Sequence, residues 1–298
     1  MLKGVTMTLK EYIEEIIKYV EENIHEVITA DIISERIGFS KFYLYRIFQT
    51  YTGLTLMEYV RKRKLNHALN DLKSDQRILD IALNYGYGSE RAFSRAFVNE
   101  FGKSPSHFRN NEHKIELKLS VYDLSLPRKD WIEMVKDYLS KVSYETLKEM
   151  TVISGIRIGA EPEDEIINLM MAFQKEHNIE VKRSFGFDSP VDEVTANKGH
   201  RGYEFWLAID KKDAGLVEGT EFVIKQIPCY KYACLRITDP FENPMEKIPN
   251  AWKSLVSWME ENNVVCENDR DRNLDCLEEV KDIDGTTYMD IMIPITKG

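Results

Sequence analysis

The chain has 298 residues, 43% of them hydrophobic and 30% charged, with a formal charge of −10. At roughly 100 to 200 residues per domain this length predicts two domains with a core each. No apolar run approaches the ~18 residues of a membrane-spanning helix, which excludes a helical membrane protein. The opening residues, MLKGVTMTLKEYIEEIIKYV, combine acids with short apolar steps and lack a small-residue cleavage site, so no secretory signal is expected and the chain is read as cytoplasmic. Cys229, Cys234, Cys266 and Cys276 match no zinc or redox spacing and are expected to be reduced thiols. No metal and no cofactor is expected.

The charge is unevenly placed. Residues 1–110 carry a net +2 and the remainder −12, and within 36–64 seven Lys and Arg face a single acid, Glu58. Such a basic patch on an acidic chain suits nucleic acid, although a solvated helix face gives the same composition.

Residues 8–108 repeat at helical spacing, beginning with Ile13, Ile16, Ile17, Val20 and Ile24. Laid against itself, the segment is duplicated. Ile33, Gly38 and Phe39 match Ile81, Gly86 and Tyr87 at a shift of 48, while Ser40, Leu44, Arg46, Phe48 and Gly53 match Ser89, Phe93, Arg95, Phe97 and Gly102 at 49. Each copy predicts a short helix, a glycine turn, an N-capping Ser and a second helix closed by Gly. This is a helix-turn-helix pattern, with Leu44/Phe48 and Phe93/Phe97 as buried stripes. The other face of each second helix carries Lys41, Tyr45, Arg46 and Gln49, or Glu90, Arg91, Ser94 and Arg95, as candidates to face a DNA groove. Residues 55–72 predict one helix about 27 Å long, able to set the two copies one DNA turn apart. On it, Arg61 to Lys64, with Arg61 and Arg63 foremost, are candidate phosphate contacts.

The stretch ILDIALNYGYGSERAFSRAFVNEFGKSPSHFR, residues 78–109, resembles the second helix-turn-helix of the AraC/XylS transcription regulators, and residues 30–68 resemble its first. The resemblance implies that the second helix of each copy enters a major groove, with Phe42, Tyr45 and Arg46 facing DNA from one copy and Arg91, Ala92, Ser94 and Arg95 from the other. Tyr45 departs from the polar residue that relatives often carry there. Double-stranded promoter DNA and RNA polymerase are the implied partners.

Residues 112–144 form a connector with an expected helix at 128–139. Beyond it, a strand at 152–159, a helix opened by Pro162, and strands at 179–187 and 203–209 recur as a strand at 230–238, a helix opened by Pro249, and strands at 274–281 and 288–295. A shift of 86 lays Glu204-Phe205-Trp206-Leu207-Ala208-Ile209 on Asp290-Ile291-Met292-Ile293-Pro294-Ile295, so two βαββ units with a cleft between them are expected. Strand alternation leaves Glu204, Trp206 and Ala208, and likewise Asp290, Met292 and Pro294, on the face away from the helix. A carboxylate beside Trp, in a region that supplies Tyr230, Trp252 and Tyr288, suits a flat, lipophilic cation. A solvated strand face is the plainer alternative.

This half resembles the GyrI-like effector-binding domains through Gly202-Tyr203-Glu204-Phe205-Trp206 and Ile291-Met292-Ile293-Pro294-Ile295. The resemblance implies an α+β domain of two fused βαββ, SHS2-like units holding a hydrophobic effector at a central acid, here Glu204, with Asp290 in the paired position. The expected organisation is an all-α DNA-binding domain at 1–111, a connector at 112–144 and an effector domain at 145–298, an order similar to Rob-type regulators. A small-molecule-responsive regulator, not an enzyme, is the expected function. The competing class is a GyrI-like hydrolase that uses Glu204 as general base.

Overall fold

A computed structural model describes residues 8–39, 41–110, 137–192, 195, 200–266 and 274–296. Helices α1 (Leu9–Glu22), α2 (Ala30–Ile37), α3 (Lys41–Thr52), α4 (Leu56–Asp71), α5 (Ile78–Asn84), α6 (Glu90–Phe101) and α7 (Pro105–Asn110) build the first half. Their starts are written in side chains. Thr8 forms a capping box with Glu11, and Thr29, Thr55 and Ser89 each accept a backbone N–H of the first turn. Gly38 and Gly102 end α2 and α6 at φ values of 88° and 73°, a left-handed geometry that glycine adopts without a Cβ clash.

The duplication is therefore structural: α2/α3 and α5/α6 are two helix-turn-helix units joined by the 16 residues of α4. Leu44, Phe48, Phe93 and Phe97 are all buried, as are the small residues Ser34 and Ala82 where the paired helices cross. Ser40, the expected cap of α3, and most of the helix expected at 128–139 lie outside the described residues.

The second half holds β1 (Ser143–Leu147), β2 (Met150–Gly159), α8 (Pro162–Glu176), β3 (Arg183–Ser189), β4 (Arg201–Ile209), β5 (Val223–Ile227), β6 (Tyr230–Thr238), α9 (Pro244–Glu261), β7 (Leu277–Ile283) and β8 (Thr286–Pro294). All eight strands join one antiparallel sheet in the order β1-β6-β8-β7-β3-β4-β2-β5. The order is symmetric about the β3/β7 seam, and each βαββ unit contributes one side of it. The edge strands are exchanged: β1 precedes β2 but pairs with β6, while β5 precedes β6 but pairs with β2.

Most strand ends fall within three residues of the sequence expectation, and the two largest differences are at β3 and α9. Strand β3 begins at Arg183 rather than 179, and α9 begins at Pro244, with Pro249 inside the helix. Pro249 cannot donate to the carbonyl of Met245. Met245 is 89% exposed, and on a solvent-facing turn the missing backbone hydrogen bond costs least, which suits a proline there.

One face of the sheet carries the helices. Ile153, Leu207 and Ile209 pack with Ile166 and Met170 of α8, and Leu235, Ile291 and Ile293 pack with Trp252, Leu255 and Val256 of α9. The core under α9 continues without a break into the helical half, taking in Tyr43, Ile47 and Tyr51 of α3. The opposite face was expected to line a cleft between the units, or, on the plainer alternative, to be solvated. Its centre is instead buried, because the sheet curls as a half-barrel and Val152, Phe185, Phe187 and Trp206 of one unit meet Tyr230, Tyr232 and Met292 of the other, while Ile156, Ile158 and Val223 at its rim stay exposed.

Close strand packing sets a test. A Cβ on Gly202 would lie 2.5 Å from the carbonyl oxygen of Ser189 on the neighbouring strand, which has no free rotamer with which to withdraw. Gly202→Ala is expected to cost about 1 to 3 kcal/mol in urea denaturation, whereas Gly88→Ala, with open space around it, should leave the midpoint nearly unchanged.

Candidate DNA-facing helices and effector site

The two second helices stand in different surroundings. On α6, Arg91 and Arg95 are exposed, Ala92 and Ser94 are half-buried, and the Ala92 amide donates to the Ser89 hydroxyl at 3.2 Å. On α3, Lys41 is exposed and paired with Asp31 at 2.9 Å, and Gln49 is exposed. The side chain of Phe42 lies outside the described residues.

Arg46 holds the position equivalent to Arg95 but is turned into the effector half. Its guanidinium lies 3.0 Å from Glu278, 3.1 Å from Asp188 and 4.6 Å from the ring centre of Trp252. Burial disfavours its charge, and the two carboxylates more than offset that, holding it above the usual arginine range. Tyr45 donates to the Val191 carbonyl at 3.2 Å, and burial followed by Asp31 and Asp192 pushes its hydroxyl up to about 12.

The basic run on α4 is mostly engaged within the protein. Arg63 forms a bidentate pair with Glu21 at 2.6 and 2.7 Å, Lys62 pairs with Glu100 at 2.8 Å, and Lys64 donates to the Glu26 carbonyl at 2.9 Å. Of the four, Arg61 alone has no ion pair or side-chain hydrogen bond among the described residues. The guanidinium of Arg63, expected to contact phosphate, here ties α4 to α1 through Glu21.

In the effector half the paired acids also differ. Asp290 stands directly across from Arg236 in the β6/β8 register, accepts from its Nε and Nη2 at 2.6 and 2.7 Å, and accepts from Lys281 at 3.0 Å. Burial pushes its carboxyl up, but Arg236 and Lys281 overcome this and leave it below the usual carboxylate range. Tyr288 lies beside this pair, with the Arg236 guanidinium 5.3 Å from its ring centre.

Glu204, at the equivalent place on β4, faces Ile156 instead of an arginine and is fully buried. Its Oε1 accepts from the Ser154 hydroxyl at 2.6 Å, from the Trp206 indole N–H and from the Lys225 ammonium, which also lies 5.5 Å from the Trp206 ring centre. Its Oε2 is buried and has no hydrogen-bond partner among the described residues. Beside it on the same face, Ile156, Ile158 and Val223 are 43%, 55% and 51% exposed.

Tyr230 shares the Glu204 face, its ring 6.2 Å from that of Tyr232. Trp252 does not. It lies under α9 on the helix-bearing face and donates to Glu278 at 2.9 Å, so its expected place in the effector site is corrected to the junction with α3. Ser154, Ile156 and Lys225 were missed. Residues 223–227 form a short edge strand whose Lys gave no apolar alternation to follow.

Two helix-turn-helix units fused to a curled sheet with an underpaired buried acid define a class: a DNA-binding protein that carries its own small-molecule domain. A helix-turn-helix domain matches residues 33–111, and a GyrI-like small molecule binding domain matches residues 140–296. The chain is 39% identical over 105 residues to the regulatory protein SoxS of Salmonella typhimurium, covering 35% of this chain and 98% of that one. It is 36% identical over 98 residues to the multiple antibiotic resistance protein MarA of the same organism, covering 33% and 77%. With an uncharacterized HTH-type transcriptional regulator of Bacillus subtilis, YbfP, it shares 32% identity over 127 residues, covering 42% and 43%. A solved AraC-type regulator from Chromobacterium violaceum is similar over 34% of this chain and 91% of its own, at 29% identity and a TM-score of 0.33. The chain belongs to the AraC family of transcription regulators, in the arrangement that carries a C-terminal GyrI-like small-molecule-binding domain. No helix among the described residues is long and apolar enough to cross a membrane.

Two measurements check these placements. Removing the exposed guanidinium with Arg95→Ala should weaken binding to a duplex selected by the full chain by about 1 to 3 kcal/mol, with circular dichroism unchanged. For Asp290 the depressed pKa means that its pairing stabilises the fold above the usual carboxylate range and that this stability is lost as pH falls through the lower, folded value. The urea midpoint should therefore drop below about pH 4 in the wild type and drop less steeply in Asp290→Asn.

Proposed function

We propose that this protein is a one-component transcription regulator that binds promoter DNA through its two helix-turn-helix units and senses a hydrophobic small molecule presenting a hydrogen-bond donor, neutral or cationic, to Glu204. The single observation behind the ligand class is the free, buried Oε2 of Glu204 beside exposed Ile156, Ile158 and Val223. An unpaired buried acceptor costs about 1 to 3 kcal/mol, and a ligand donor relieves that cost while its apolar body covers the isoleucines.

Lys225 refines the expectation of a lipophilic cation. The acid already holds an ammonium on Oε1, so a cationic head group must share or displace it, whereas a neutral donor adds at Oε2. Binding without turnover is sufficient for this role, and the curated relatives are named as regulators. We place the working boundaries at 1–111 and 145–298, with RNA polymerase as a further partner and the cytoplasm as the location. The GyrI-like match starts at residue 140, and Ser140 donates its amide to the Arg236 carbonyl.

Three acridines separate the contributions: 9-aminoacridine (cation with donor), acridone (neutral with donor) and N-methylacridone (neutral without one). Calorimetric titration of Glu204→Gln should show losses for the two donor-bearing compounds and little change for the third. Equal losses for all three would remove Glu204 as the anchor, and no binding of any to the wild type would remove the ligand class.

A further inference from the structure

The helix of the first unit that the family uses to read DNA is the same helix that packs on the effector half. Four of its side chains reach across. Arg46 meets Asp188, Glu278 and the Trp252 ring, Tyr45 donates to the Val191 carbonyl, Tyr51 donates to Glu260, and the Tyr43 hydroxyl meets Cys266. A backbone contact joins them, as the Lys10 amide donates to Glu260 at 3.1 Å. Arg46 retains only 14% side-chain exposure and Glu278 10%.

The internal repeat supplies the control. Arg95, in the equivalent place on α6, is exposed and has no ion pair among the described residues. The two reading faces therefore have the same design and different accessibility, and what covers the first is acidic. Asp188, Asp192, Glu260 and Glu278 all act on α3, from the half that carries −12. Carboxylates take the place that DNA phosphates would take against this helix, and the two polyanions cannot occupy it together.

We infer that the effector half masks the first helix-turn-helix by acidic mimicry of DNA, with the Arg46–Glu278–Asp188 cluster as the latch, so that the closed chain grips DNA through the second unit alone. This rests on the DNA-binding reading above and adds a state in which only half of the binding surface is presented. Opening the latch frees Arg46 and Tyr45 for a second groove. Arg46 is thus used twice, and a substitution there would confuse unmasking with loss of a DNA contact. The carboxylates are the proper handles.

The experiment uses the full chain without effector and a duplex that the chain itself selects from a random-sequence pool. Hydroxyl-radical footprinting should show wild-type protection confined to about one helical turn, and protection of two successive turns in the Asp188→Asn/Glu278→Gln double variant, with affinity at least tenfold tighter. In the same variant, oxidative labelling of Tyr45 and Tyr51 should rise severalfold while that of Tyr59, buried inside the helical half, stays low. If Tyr59 labelling rises as well, the double variant has lost its fold and Asp188→Asn decides the matter. That carboxylate is 43% exposed, so its loss leaves folding intact and should tighten binding at least threefold. Two-turn protection by the wild type, with no gain in either variant, overturns the mask. Absence of protection by every form overturns the DNA-binding reading itself.

Discussion

The burial of one arginine between the halves governs the architecture. A guanidinium taken out of water is costly unless charge and hydrogen bonds replace its hydration. Arg46 is supplied with two carboxylates and the face of Trp252, whose own N–H is in turn committed to Glu278. Burial pushes Glu278 toward its neutral form and Arg46 opposes it, so each charge is tolerable only because the other is present. Around this pair the apolar core runs unbroken from α1 to β8, and the chain packs as one body although it is built from two folds.

Both duplications have diverged in the same way. In each pair of equivalent positions one charged group is held internally and the other keeps capacity for a partner. Arg46 is engaged and Arg95 is exposed, while Asp290 has both oxygens occupied and Glu204 has one oxygen spare. A single cross-strand change accounts for the second case: Arg236 opposite Asp290 corresponds to Ile156 opposite Glu204. Strand β7 lies between the two functions, since Glu278 points to the α3 junction while Leu277 and Glu279 belong to the other face, with Met292 and Asp290.

Helix boundaries in the first half were legible because caps and left-handed glycines are local signals, and Thr8, Ser89 and Gly102 act where their residue types indicate. The pairing of β4 with β8 as equivalents was legible because alternation persists over six residues. Edge strands β1 and β5 were not, since five residues of mixed polarity carry no such period. The fates of the charged groups were the least legible. Glu21 for Arg63, Glu278 for Arg46 and Lys225 for Glu204 come from distant segments, and spacing along the chain says nothing about a partner that only the tertiary fold delivers. The same limit explains Trp252, which shares a composition with the effector face but sits on a helix bound to the other one.

The exchange of β1 and β5 has a consequence for how this half comes apart. Each lends its backbone groups to the opposite unit, so neither unit is a separable module despite the ancestry that the repeat suggests. Cutting the chain between β4 and β5 and parting the fragments would strip a neighbour from β2 and β3 in one and from β6 and β7 in the other, leaving four hydrogen-bonding edges open to adhesion with other chains. The interlock turns a doubled sequence into a single cooperative element, and strain imposed at one end of the sheet is borne by strands encoded at the other.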